Sequence, residues 1–190
     1  TGKVEKPLLL KTVESAICKC FERISGSKNA DIVFDLDTHR LVLNFESADG
    51  SLQKFAMDEM SDGYKNTLSM IGDIAYRMAV LNPMLGDKVL EETTGVVVID
   101  EIDLHLHPQW QQTIISDLNT IFPKIQFIVS SHAPAVINSV AKEQIRILDN
   151  GEIYMPAAQT YGRDANSILR EVMKVSERPA DIKQRMNLFY

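Results

Sequence analysis

The sequence predicts an α/β fold, with a parallel sheet at its centre preceded by one helix and an antiparallel β-meander. Three observations carry that prediction. Val96, Val97, Val98 and Ile99 form a continuous apolar run that ends abruptly on Asp100 and Glu101. A short run that is β-branched throughout reads as a strand buried on both faces. A second run, Ile125 to Val129, follows after one intervening helix, and strand–helix–strand order implies a right-handed parallel crossover. Turn residues Asp37-Thr38-His39-Arg40 and Asp49-Gly50 separate three short strands in the first third of the chain.

In chain order, Pro7 can open a helix at its first turn. Leu10, Val13, Ile17, Phe21 and Ile24 then recur at helical spacing, and Ser25-Gly26-Ser27 stops it. Ile32 to Phe34 and Leu41 to Phe45 read as a hairpin, with His39 a surface turn residue. Ser51 to Met57 is the third strand. A helix from Ser61 to Asn82 carries Tyr64, Leu68, Ile71, Ala75 and Met78 on one stripe and ends before Pro83. Met84 to Thr94 reads as a loop. After the Val96 strand, Pro108 opens a helix that runs to Phe122, with Trp110, Ile114, Leu118 and Ile121 on one side. Ala133 to Val140 is a short helix, and Ile145 to Leu148 is a strand. Asn150-Gly151 turns into Ile153-Tyr154. A last helix carries Ile168, Leu169 and Val172, with Arg163 before it a solvated arginine.

At 190 residues the chain is long enough for one sizeable core. Its charge of −6 gives no basic footprint for nucleic acid, which leaves only a local patch for such contact. No apolar run approaches the ~20 residues that span a bilayer. Cys18 and Cys20, at i and i+2 of a helix, face apart, so a disulfide is not expected and a reduced cytoplasmic setting fits. The first residue is Thr1 and the last four are Asn187-Leu188-Phe189-Tyr190, so a piece of a longer protein is expected.

The chemistry concentrates at Asp100 and Glu101. The carboxyl edge of a parallel sheet is where ligands bind, and two carboxylates there need cationic compensation. Three motifs in order then resemble the C-terminal half of an ABC-type ATPase head, of the kind found in SMC, RecF and OLD-like proteins. Met60-Ser61-Asp62-Gly63-Tyr64-Lys65 resembles the signature motif, and Val96 to Glu101 resembles a Walker B strand with its glutamate. Leu104 to Pro108 stands where a D-loop would be, and Ser130-Ser131-His132 resembles the switch-histidine motif. Asp100-Glu101-Ile102-Asp103-Leu104-His105-Leu106-His107-Pro108 and Tyr161-Gly162-Arg163-Asp164 are similar to bacterial predicted ATP-binding proteins linked to virulence. They are also similar to Septu-type and retron-associated defence ATPases. The resemblance covers about residues 55 to 175.

What the resemblance implies is a P-loop NTPase lobe of ABC type. Residues 1–57 would be its helix and meander, 58–155 its core and 156–190 a C-terminal extension. ATP and magnesium would be its cofactors. Asp100 would hold Mg²⁺ through water, Glu101 would be general base or water orienter, and His132 would hold the γ-phosphate and sense its loss. Ser61, Asp62 and Gly63 would act on ATP held by a second head, with free N–H groups at the helix start facing phosphate. Leu106 and His107 would form the D-loop, where the family ends in Leu-Asp. Two heads would close around ATP and drive a conformational switch, with an effector protein and nucleic acid left open as partners. The chain has no G-x-x-x-x-G-K-[ST] loop, so the Walker A lobe is expected elsewhere and this piece alone is expected to be inactive. Two rival readings are an ATP-gated interaction module and a metal-dependent nuclease using Asp100, Glu101, Asp103, His105 and His107. The His-x-His pair also suits zinc, but it precedes a helix with no cysteine nearby.

Overall fold

The protein is described by a computed structural model over residues 6–104 and 106–174. Pro7 stands directly before helix α1, Leu8–Ser25, and Gly26 closes it in the left-handed conformation at φ 71°. Its N–H donates to the Glu22 carbonyl there, a C-cap that a residue with Cβ adopts only with strain. Three antiparallel strands follow: β1 (Lys28–Asp35), β2 (Arg40–Glu46) and β3 (Leu52–Ala56), in that spatial order. Helix α2, Asp62–Leu81, starts after Ser61 and ends before Asn82, as its sequence signals predict.

Two expectations are corrected in the next stretch. The segment read as a loop contains a 3₁₀ turn over Pro83–Lys88 and one α-turn, α3 (Val89–Glu92), whose Val89 and Leu90 are buried in the core. Strand β4, Gly95–Ile99, is not buried on both faces: Val96 is 57% exposed and Val98 73%. Val97 and Ile99 pack on the core instead. The reason lies in the sheet. Strand β4 pairs only with β5 (Ile125–Val129), in parallel, and no third strand joins them among the described residues. The other long edge of β4 borders a groove of about 610 Å³ between the strand and α2, floored by Ile74, Met78 and Ile125 and ending at Asp100.

The helix predicted between β4 and β5 is present in two pieces, α4 (Pro108–Gln111) and α5 (Ile114–Ile121). Ile114, Leu118 and Ile121 are buried as expected. After β5 come α6 (Pro134–Ile137), the hairpin β6 (Ile147–Asp149) and β7 (Glu152–Tyr154), and α7 (Ala165–Glu171). Asp164 caps α7 by accepting the Ser167 N–H at 3.0 Å. Arg163 is a surface arginine as expected, paired there with both carboxylate oxygens of Glu171 at 2.6 and 2.9 Å. The turn expected at Ser176 to Pro179 lies outside the described residues.

One apolar core joins α1, the inner face of the meander, α2, α3 and α5. The buried residues of α1 are Thr12, Ala16, Cys20 and Phe21; of the predicted stripe Phe21 is buried, Val13, Ile17 and Ile24 pack partly buried against the core, and Leu10 is exposed. Helix α1 lies close on α2 through the predicted stripe itself: a Cβ on Gly72 would stand 3.3 Å from Ile17 and 3.7 Å from Val13. Thr12 is accommodated because its hydroxyl donates to the Leu8 carbonyl at 2.9 Å. Both cysteines are free thiols, and burial pushes Cys18 up to about 11 and Cys20 up to about 12.

An ion pair ties α1 to α5. Arg23 Nε donates to Asp117 Oδ1 at 2.5 Å, and Asp117 is almost wholly buried with its other oxygen unpartnered. Removing the arginine strands a buried carboxylate. Arg23 is partly solvated, so the effect is discounted from that of a fully buried pair. Arg23→Ala in the full-length protein is expected to cost about 1–3 kcal/mol, read as a lowered unfolding midpoint. An unchanged midpoint would show that α1 is held by apolar packing alone.

Candidate active site

The parallel register decides which residues meet. Ile99 pairs with Val129, so the residues that follow, Asp100 and Ser130, stand side by side at the carboxyl ends of β4 and β5. The Ser130 hydroxyl donates to Asp100 Oδ1 and accepts the Glu101 N–H at 2.8 Å. The two strand ends are also joined through the backbone. Ser130 N–H donates to the Ile99 carbonyl and Ile102 N–H to the Ser130 carbonyl, each at 3.0 Å.

Glu101 sits in the left-handed region at φ 50°. For a side chain with Cβ that conformation costs of order 1–2 kcal/mol and is held only when its surroundings over-determine it. Here the turn that follows does so: Leu104 N–H donates to the Glu101 carbonyl at 2.9 Å, and Ile102 is buried. Both carboxylates, Asp100 and Glu101, remain exposed to solvent.

His132 comes to the same edge from the other strand. Its N–H donates to Asp103 Oδ1 at 3.3 Å, which ties the segment after β5 to the segment after β4. Its imidazole is exposed and makes no hydrogen bond among the described residues. Asp100, Glu101 and His132 thus follow the carboxyl ends of two paired strands, with Ser130 joining Asp100 to Glu101 and Asp103 joined to the His132 backbone. Sequence reading assigned no role to Ser130. The signal was present, since the two apolar runs each end on a polar residue, but the register that pairs those ends is a long-range fact.

Ser61, Asp62 and Gly63 are elsewhere, at the start of α2, and no hydrogen bond among the described residues joins them to Asp100, Glu101 or His132. Ser61 stands at the N-cap but its hydroxyl caps nothing, so the first-turn N–H groups of α2 are not consumed by it. Asp62 is exposed, with Lys65 Nζ 3.8 Å away. The next residue, Tyr64, packs edge-on against Trp110, ring centroids 4.3 Å apart. Burial raises the Tyr64 hydroxyl above its ordinary value. The His107 ring lies 6.0 Å from Trp110, and its Nδ1 accepts the Gln109 N–H at 3.3 Å. This aromatic contact links the start of α2 to the segment after β4. Leu106, expected in the D-loop, is buried in the chain's own core, whereas His107 is exposed.

The donor set fits magnesium with nucleotide better than a protein-built metal cage. No group of three histidine, cysteine or carboxylate residues that could enclose an ion occurs among the described residues. Magnesium keeps most of its waters and takes one or two carboxylates plus phosphate oxygens, and a single exposed Asp100 oriented by a hydroxyl meets that need. His105, part of the zinc and nuclease readings, lies outside the described residues. No helix among the described residues is long and apolar enough to cross a membrane.

A family model described as "AAA domain, putative AbiEii toxin, Type IV TA system" matches residues 19–138, which include all of these positions. A curated relative named "Retron Vc95 probable ATPase", from Vibrio cholerae, is 42% identical over 124 residues, 63% of this chain and 24% of its own length. "Septu protein PtuA" from Bacillus mycoides is 36% identical over 96 residues, 50% of this chain and 13% of its own length. The chain thus spans a quarter or less of these relatives. Among solved structures, one described under ATP-driven dimerization and DNA stimulated activation of SMC ATPases overlays with a TM-score of 0.48. Its identity is 13%, covering 93% of this chain and 92% of that one.

Proposed function

We propose a function from a fixed premise: this chain belongs to the family of AAA domains associated with AbiEii toxins and type IV toxin–antitoxin systems. It is the C-terminal part of an ABC-type ATPase that hydrolyses ATP in the cytoplasm and closes as a dimer around it. The observation that carries this reading is the convergence of Asp100, Glu101 and His132 on one sheet edge, from two strands in parallel register. Likeness in sequence to a retron ATPase and to a Septu protein supports a role in anti-phage defence.

The roles follow from placement. Asp100 would hold hydrated Mg²⁺, which when bound supplies charge neutralisation between the β- and γ-phosphates. Glu101, one residue on and turned away by its left-handed backbone, orients the attacking water and takes its proton. His132 donates to the γ-phosphate, and losing that contact after hydrolysis releases the segment tied to Asp103. Ser61, Gly63 and the unconsumed N–H groups at the start of α2 grip the γ-phosphate of ATP on a second copy. Asp62 is kept from opposing that phosphate by its exposure and by Lys65. His107, next to Trp110, meets the second copy beside the same nucleotide. The change between closed and open dimers is passed to an effector.

The test is steady-state hydrolysis of ATP by the full-length parent, with magnesium and with the metal chelated. Metal-dependent turnover is the expected result. Tight binding of ATP with no turnover would replace the enzyme by an ATP-gated clamp, in which the effector does the chemistry. Cleavage of DNA without ATP would replace it by a nuclease.

A further inference from the structure

Ser130 hydrogen-bonds through its side chain to both carboxylate residues of the site. Its hydroxyl has one proton and two lone pairs. The proton goes to Asp100 Oδ1, and a lone pair takes the Glu101 N–H. The two contacts serve different ends. The first fixes the rotation of the Asp100 carboxylate, leaving Oδ2 for the hydrated metal. The second satisfies an amide that belongs to a non-glycine residue at φ 50°. That backbone aims the Glu101 side chain. Loss of the hydroxyl would therefore free the carboxylate and leave the strained turn without its partner.

We propose that Ser130 is a positioning residue of the hydrolytic site, setting the metal-facing oxygen of Asp100 and the backbone of Glu101 through one hydroxyl group. The proposal rests on the ATPase reading. Ser130 is exposed at a strand end, so it buries no apolar surface, and its effect is on geometry more than on folding. The alternative is an ordinary strand-end polar residue. In that case its loss would change stability or nothing, and would leave the metal dependence alone.

The experiment uses the full-length parent and its Ser130→Ala, Ser130→Val and Ser130→Thr variants, with Glu101→Gln as reference. Three quantities are read: kcat and KM for ATP, the Mn²⁺ concentration that half-saturates turnover, and binding of Mn²⁺ by electron paramagnetic resonance with a non-hydrolysable ATP analogue. A hydrogen bond to a charged group is worth roughly a ten- to hundredfold change in an equilibrium or rate. Ser130→Ala and Ser130→Val should lower kcat by about that factor and weaken Mn²⁺ binding about tenfold, with KM for ATP changed less than about threefold. Ser130→Thr keeps the hydroxyl and should restore both quantities, whereas valine, of the same shape, should not. The threonine–valine pair serves even if the alanine variant folds poorly. Parent-like kcat and Mn²⁺ binding in the valine variant, with Glu101→Gln impaired, would overturn the role of Ser130 and leave the ATPase reading standing. Equal loss in threonine and valine, accompanied by a lower unfolding midpoint, would do the same. Turnover indifferent to Glu101→Gln would overturn both.

Discussion

Glu101→Gln in the full-length parent is expected to lower ATP turnover by roughly 10²–10⁴-fold while ATP and magnesium still bind. The substitution keeps the shape of the side chain and its left-handed backbone at φ 50°, and removes only the capacity to accept a proton. The hydroxyl clamp on Asp100 and on the residue-101 amide is untouched, because it involves the neighbouring carboxylate and a backbone N–H. Binding should therefore persist and chemistry should fail. The protein would accumulate in its ATP-bound, closed state, visible as a dimer by light scattering. Turnover at the parent rate would remove Glu101 from the mechanism.

The second large effect is expected at the start of α2. Ser61→Arg places a long side chain over first-turn N–H groups that the wild-type hydroxyl does not occupy. Each donor aimed at developing charge on a phosphate or oxyanion is worth about 10²–10³ in rate. The variant should lose turnover by at least that factor and should also fail to dimerise in ATP. ATP binding to the single head should remain, because Ser61 makes no hydrogen bond to the carboxylate site of its own chain. This separates the two lesions: Glu101→Gln stabilises the dimer, and Ser61→Arg prevents it. A Ser61→Arg protein that dimerises normally would detach α2 from nucleotide recognition.

Much of this arrangement was legible in the sequence because it rests on local rules. The helix α2 shows its start, stripe and stop in Ser61, the run from Tyr64 to Met78, and Pro83. Gly26 and Asn150-Gly151 mark a cap and a hairpin that need positive φ, and the structure has it at both glycines. The carboxylates stood out because the apolar run that stops on Asp100-Glu101 lies between two further motifs, Met60 to Lys65 upstream and Ser130 to His132 downstream. What escaped depends on distant partners. Exposure of Val96 and Val98 follows from a two-stranded sheet with nothing over that face among the described residues, which a β-branched run cannot reveal. The turn at Val89–Glu92 is too short to display a period. The helix after Pro108 divides at Gln112 and Thr113, where no glycine or proline marks a break. The burial of Thr12, Ala16 and Cys20 beside the predicted α1 stripe depends on the elements that α1 packs against, which its own period cannot show. Ser130 stands in the switch-histidine motif, but its contact with Asp100 became visible only through the β4–β5 register.

In the proposed dimer each chain gives its carboxylates to its own nucleotide and its α2 start to its partner's. This arrangement is tested most directly by purifying a heterodimer of the full-length parent, one copy carrying Glu101→Gln and the other Ser61→Arg, on separate tags. Neither variant alone turns over ATP, Glu101→Gln because its dimer lacks the base and Ser61→Arg because it does not dimerise. In the heterodimer both lesions fall in one site, and the other site combines an intact Glu101 with an intact Ser61. ATP turnover is expected to return, to about half that of a doubly tagged wild-type dimer. A heterodimer as inactive as either variant alone, beside an active tagged wild type, would put both groups in the same chain's site and overturn the shared-site arrangement.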